Sequence, residues 1–344
     1  MGKTFSDWEI RLDARRVLLL HYDNPPSRRR GRAGQGDIGM SKLLRGGLFA
    51  VTVCGLVCVC SSWAGNSSAV LGTEDYYAGA LPPPGFHYID YVLYYDADKL
   101  ADADGNKSGP PGFKASALAN VFRPIYVANA TILGANPAWH VVVPLVHKNV
   151  KSDLFDDNAD GIGDIYVSPL ILGWHSKVFH CIAGLDVIAP TGDYDSDEMA
   201  NLGNDHWTFE PAVAVSALFP NRVQAGVKFM YDVHTKTTDY AISGMTETVD
   251  YKTGQQFHGD YNLSYAIRPN FQLGVAGYFL VGVTDDQVDG EDLDDSKEQV
   301  IAAGPSVLYA PMKNLSLVAK YLIETEAENR PEGNAAWLKL VYSF

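Results

Sequence analysis

From Gly85 to Phe344 the sequence is a run of period-2 segments whose connections alternate between long and short. Twelve segments read as strands: 86–95, 113–128, 138–150, 164–174, 177–189, 206–218, 222–234, 255–266, 270–283, 298–309, 314–325 and 334–344. Connections after odd-numbered segments are long and acidic: DADKLADADGNKSGPPG, KSDLFDDNADGIG, PTGDYDSDEMANLGND, the stretch 235–254, TDDQVDGEDLDDSK and EAENRPEG. Those after even-numbered segments are short: LGANP, HS, PNR, IRP and APMK. A random meander would not sort its loops by side. Sorting of this kind is the plan of a transmembrane antiparallel barrel with short periplasmic turns and long outer loops. The expected fold is therefore all-β, an up-and-down barrel of about twelve strands over residues 86–344.

Successive side chains of a strand point to opposite faces, so parity sorts them. In 222–234 the odd positions are Val223, Ala225, Val227, Phe229, Tyr231 and Val233; the even ones include Arg222, Lys228, Asp232 and His234. In 257–265, Phe257, Tyr261, Leu263 and Tyr265 alternate with His258, Asp260, Asn262 and Ser264. The segments 315–323 and 334–344 separate in the same way, with Lys320 and Lys339 on the polar face. Segments two to four carry apolar residues on both faces. Parity does not say which face points inward. Aromatic residues at the ends of the apolar faces (Phe179, Trp207, Phe257, Tyr265, Phe271, Tyr309, Phe344) favour lipid outside, where they form interfacial girdles. The C-terminal strand ends in Tyr342 and Phe344, the form of an outer-membrane assembly signal.

The chain carries 27 Lys+Arg against 41 Asp+Glu, which argues against nucleic acid as a partner. The stretch MSKLLRGGLFAVTVCGLVCVCSSWA (40–64) has a basic start, an apolar centre and a small-x-small end, the pattern of a signal peptide cleaved after Ala64. Its apolar run, 46–60, is short for a spanning helix. Residues 1–39 precede Met40 and read as an over-extended start, with a long atypical leader as the alternative. After cleavage, 17 Lys+Arg face 36 Asp+Glu, a charge of −19, and Cys181 is the remaining cysteine. Residues 65–85 are then expected as a periplasmic segment before the barrel, and the outer membrane of a Gram-negative bacterium as the location.

The stretches PPPGFHYIDYVLYYDADKLADADG (82–105), GIGDIYVSPLILGWH (161–175), AGLDVIAPTGDYD (183–195), ANLGNDHWTFEPAVAV (200–215), KFMYDVHTKTTDY (228–240), TGQQFHGDYNLSY (253–265) and AENRPEGNAAWLKLVYSF (327–344) resemble the outer-membrane proteins grouped under the meta-pathway of phenol degradation. They span nearly all of the barrel. The resemblance implies an uptake channel for hydrophobic or aromatic compounds and supplies no catalytic residues. The stretch 237–254 looks longer than the loop usual for that family.

By parity the lumen is expected to hold Asp186, Glu210, Arg222, Lys228, Asp232, His258, Asp260, Lys320, Glu324 and Lys339. Ionisable groups in a membrane barrel face water or one another, so these either set what passes or pair to hold the wall. Asp156, Asn158 and Asp160 before Gly161 follow the first half of a calcium loop, but Val167 stands where that loop needs Glu. Asp98, Asp102 and Asp104 make a second acidic cluster. The expectation is no cofactor, with Ca2+ or another divalent cation on the acidic loops as the alternative. Expected partners are membrane lipid, lipopolysaccharide, the barrel assembly machinery and small hydrophobic or aromatic solutes. No nucleophile has a His in reach: His258 and Ser264 lie six residues apart on one strand, roughly 20 Å. The expected function is a non-enzymatic channel for small hydrophobic or aromatic compounds. The alternative is a structural or surface-interaction barrel with a closed lumen and cation-binding acidic loops.

Overall fold

The computed structural model describes residues 70–196, 198–241 and 248–344. The expected leader, residues 40–64, and the stretch 1–39 lie outside the described residues. Twelve long strands form the wall: β1 (Gly85–Ala101), β2 (Lys114–Val127), β3 (Asn136–Lys151), β4 (Ile165–His175), β5 (Phe179–Ala189), β6 (Thr208–Leu218), β7 (Val223–His234), β8 (Gln256–Arg268), β9 (Phe271–Gly282), β10 (Gln299–Met312), β11 (Leu315–Glu328) and β12 (Pro331–Ser343). Each pairs antiparallel with its sequence neighbour. β12 also pairs with β1, from Pro331↔Leu100 to Ser343↔His87, and this seam closes the barrel. Closure leaves no sheet edge with unmade backbone hydrogen bonds, which the interior of a bilayer requires.

Several long connections have strands of their own. Residues Asp156–Ile162 fold back along the outer half of β3, and Lys107–Ser108 pairs with the end of β1. Thr237–Ala241, Thr248–Lys252, Gln287–Val288 and Glu291–Asp292 make a separate four-stranded sheet above the wall.

Burial follows the parity of each strand. On β7, Gln224, Lys228, Met230, Asp232 and His234 are buried while Phe229 and Val233 are exposed. On β8 the buried set is Gln256, His258, Asp260, Asn262 and Ser264, and the exposed set includes Phe257, Leu263 and Tyr265. β2 turns Ala115, Ala117, Ala119 and Val121 inward and Leu118 and Tyr126 outward. The inner face mixes buried charges with Tyr91, Leu93, Leu280, Leu322 and Trp337, while large apolar side chains stand exposed on the outer face all round the wall. Such a surface belongs in lipid. Arg222 departs from its parity: it sits exposed in the β6–β7 turn at φ 71°, not in the lumen.

The expectation of a segment outside the barrel at 65–85 is corrected for its described part. Residues 71–80 lie inside the barrel, with Leu71, Tyr76, Glu74 and Asp75 buried against the inner wall. Local turns shape the segment: Ala78 N–H and Ala80 N–H donate to the carbonyls of Asp75 and Tyr77. Gly79 lies so close to β6 that a Cβ there would meet Ser216 N at 2.5 Å. Pro82, Pro83 and Pro84 then reverse the chain into β1, where His87 bridges Pro83 O and Ser343 Oγ. A buried acidic pair with waiting partners explains why this polar stretch leaves water: the barrel wall offers three cations at its level.

Candidate functional site

The inner wall carries charges that β2, β7, β8, β11 and β12 point into one region, and the segment 71–80 meets them there. Asp75 lies between Lys320 Nζ at 2.9 Å and Lys339 Nζ at 3.1 Å. Glu74 pairs with Lys339 at 3.3 Å and with Arg123 of β2. Asp260 accepts hydrogen bonds from Gly72 N–H at 2.9 Å and Glu74 N–H at 2.8 Å. Below them, Gly79 N–H donates to Ser216 Oγ, Tyr76 Oη bonds Ser306 Oγ, and Gln272 donates to Tyr77 Oη. The segment is thus held by side chains from most of the circumference, without adding a strand to the sheet.

A second set continues along the wall. Arg123 hydrogen-bonds Tyr91 Oη and His140 Nδ1, and His140 Nε2 lies 2.9 Å from Asp186. Lys228 Nζ stands 3.6 Å from Glu210 Oε1 and 3.9 Å from Asp186. His258 Nε2 lies 3.2 Å from Asp232 and 3.6 Å from Glu210. Nearer the outer end, Glu324 accepts from Tyr95 Oη, Tyr278 Oη and Gly333 N–H, and Arg330 approaches it at 4.0 Å. Opposite charges facing one another in this way let buried ions persist where single ones would not.

Of the residues expected in the lumen, Asp186, Glu210, Lys228, Asp232, His258, Asp260, Lys320, Glu324 and Lys339 are all buried on the inner face. The register sets Lys228 beside Asp260 and Met230 beside His258, so the β7–β8 residues share one patch. Asp260, Lys320 and Lys339 bind the inner segment. Sequence reasoning missed Glu74, Asp75, Tyr91, Arg123 and His140. Arg123 had a signal: it shares the parity of Ala117, Ala119 and Val121, the inward residues of β2. Glu74 and Asp75 had none in strand parity, because they lie on no strand.

Asp156, Asn158 and Asp160 do not form a calcium loop. They lie on the extended hairpin strand beside β3, where alternate residues step by about 6.6 Å, so their ligands do not converge. Asp160 pairs with His147 and Asp156 with Asn149. Asp98, Asp102 and Asp104 lie where β1 runs into its outer connection, and Asp102 Oδ1 accepts from Asp104 N–H and Asn106 N–H. Tyr342 and Phe344 pack edge to face at the end of β12.

Two cavities flank the end of the segment. One of about 60 Å³ is bordered by Glu74, Arg123, His140, Glu210, Lys228 and His258. A larger one, about 140 Å³, lies towards the long loops; Leu71, Leu93, Ala117, Ala119, Pro144 and Val146 give it an apolar wall, and Lys148, Asp164, Glu324 and Arg330 a polar rim. Asp164, in the connection before β4, has its pKa raised by burial, against hydrogen bonds from Gly192 N–H and Asn204 N–H that favour its charged form.

Residues 97–340 match the family described as MetA-pathway of phenol degradation. The chain belongs to this family. Among solved structures it resembles the COG4313 outer membrane channel from Pseudomonas putida F1, with a TM-score of 0.69 and 17% identity, over 79% of this chain and 100% of that one. Looser likenesses join it to the transport unit of the autotransporter AIDA-I from Escherichia coli (TM-score 0.46, 8% identity, 78% of this chain, 94% of that one). A deletion mutant of the TodX monoaromatic hydrocarbon channel is similarly distant (TM-score 0.45, 10% identity, 83% of this chain, 98% of that one). Comparison with curated protein sequences returns no match. This member of the phenol meta-pathway family is a closed antiparallel β-barrel that shares its fold with the COG4313 outer membrane channel.

Proposed function

We propose that the barrel passes small hydrophobic or aromatic compounds across the outer membrane of a Gram-negative cell, and is not an enzyme. The observation that carries this reading is the cavity of about 140 Å³ under the long loops, apolar on one side and polar at its rim. A dry cavity of roughly 150 Å³ accepts one benzene molecule, so the space suits a single small ring bearing a polar group. Membership of a family named for phenol degradation agrees with it. Solutes would enter between the acidic loops, rest against Leu93, Ala117 and Val146, and leave past the inner segment. Lipid and lipopolysaccharide are the expected surroundings, and Tyr342 and Phe344 the signal read by the assembly machinery.

The test compares uptake of phenol and of a charged solute of similar size in proteoliposomes with and without the barrel. Faster entry of phenol than of the charged solute supports the reading, and equal entry refutes it. A second reading, a closed structural barrel, is favoured by the segment 71–80 filling the lumen. Planar-bilayer recordings separate the two, because a closed barrel gives no conductance steps.

A further inference from the structure

We propose that Glu210, Asp232 and His258 form a site for a divalent transition-metal ion of the zinc class on the inner wall. The three residues come from adjacent strands β6, β7 and β8, and all point inward. Their ligand atoms lie within 4.8 Å of one another. His258 Nε2 stands 3.2 Å from Asp232 Oδ2 and 3.6 Å from Glu210 Oε2. Ligands about 2.0–2.1 Å from a tetrahedral zinc are separated by about 3.3 Å, and the two observed spacings bracket that value.

The second observation is independent of the cluster's composition. Asp232 is 0% exposed and His258 1%, yet Asp232 Oδ1 and His258 Nδ1 have no hydrogen-bond partner, and Asp232 Oδ2 and His258 Nε2 have only each other and Glu210. A fully buried carboxylate oxygen without a donor is rare and costly. A cation held by Asp232, Glu210 and Nε2 would satisfy the Asp232 carboxylate, with the imidazole proton on Nδ1.

The charges around the site are compatible with a divalent ion. Lys228, the nearest cation, sits on the other oxygen of Glu210, Oε1, and shares itself with Asp186. Glu210 Oε2 is left facing His258, and with neutral imidazole the two carboxylates bring two negative charges. His258 and Glu210 also border the cavity of about 60 Å³, which has room for a water as the fourth ligand. An imidazolium held between two carboxylates would use the same residues with no metal, and the experiment separates the two.

The untagged barrel is purified in detergent, stripped with EDTA, offered zinc sulfate and dialysed. About one zinc ion per chain should remain by elemental analysis, and zinc-soaked crystals should show anomalous density among the three side chains. Asp232→Asn and His258→Gln, each first shown to be folded by its unheated gel migration, should bind at least about tenfold more weakly. Asp156→Asn should bind as the parent does. Failure to retain zinc, retention unchanged in the folded Asp232→Asn and His258→Gln variants, or density only at His175 and His180 or on the loops would overturn the proposal. If neither variant folds, the position of the anomalous density decides.

Discussion

Lys320 and Asp75 meet at 2.9 Å inside the barrel, with side chains 1% and 0% exposed. One belongs to the wall and the other to a stretch that precedes every strand. Asp75→Asn would leave Lys320 and Lys339 without their shared counter-charge. Removing one partner of a buried pair costs about 3–5 kcal/mol, which here falls on the attachment of the segment rather than on the sheet. Single-channel conductance should rise in this variant while the unheated gel shift of the folded barrel persists. Unchanged conductance would show that the segment does not restrict the pore.

Gly79 tests the same attachment without touching a charge. A side chain at this position would strike the backbone of Val215 and Ser216. Gly79→Val should therefore displace the lower part of the segment and expose it to protease added from the periplasmic side. Protection equal to that of the parent would mean that the contact yields easily.

Thiol chemistry reads the two faces of β7. A cysteine replacing Lys228, which makes no hydrogen bond to the segment, should react slowly with a water-soluble maleimide, and at least about tenfold faster once Asp75→Asn loosens the segment, a change on the scale of the lost pairing. A cysteine replacing Phe229, which is 42% exposed on the outer face, should stay protected in lipid in both backgrounds. Labelling at 229 with protection at 228 would invert the wall.

His206, in the connection before β6, has its pKa pushed down to about 3 by burial and then by the neighbouring His234. Its lowered value means that neutral His206 stabilises the folded connection above the unfolded value of about 6.5. That contribution fades as the pH falls from there towards 3. Trp207 fluorescence should report progressive loosening of this connection on acidification, and His206→Gln should flatten the profile. A profile unaffected by the substitution would assign the transition to other groups.

The wall was legible in the sequence because two independent patterns agreed, strand parity and the sorting of loop lengths. All twelve strands fall where parity put them, though β1 runs six residues beyond its expected end, to Ala101. The interior was only half legible. Lys228, Asp232, His258 and Asp260 stood out because each interrupts an apolar strand. The segment 71–80 did not, since its burial depends on ion pairs to residues more than 40 positions away, such as Arg123, Lys320 and Lys339. Local pattern carries no information about such pairs. The calcium reading of Asp156–Asp160 failed for a related reason: the same residues read as a loop by composition, and pairing with β3 straightened them.

The three prolines at 82–84 join the segment to the wall. Each fixes its own φ near −65°, so the bend at Pro83 and Pro84 that turns the chain into β1 is a stiff corner rather than a hinge. His87 clamps this corner to the seam by bridging Pro83 and Ser343. The segment therefore inherits its direction from the place where the barrel's first and last strands are sewn together. The corner where the segment enters the lumen is thus anchored to both ends of the wall at once.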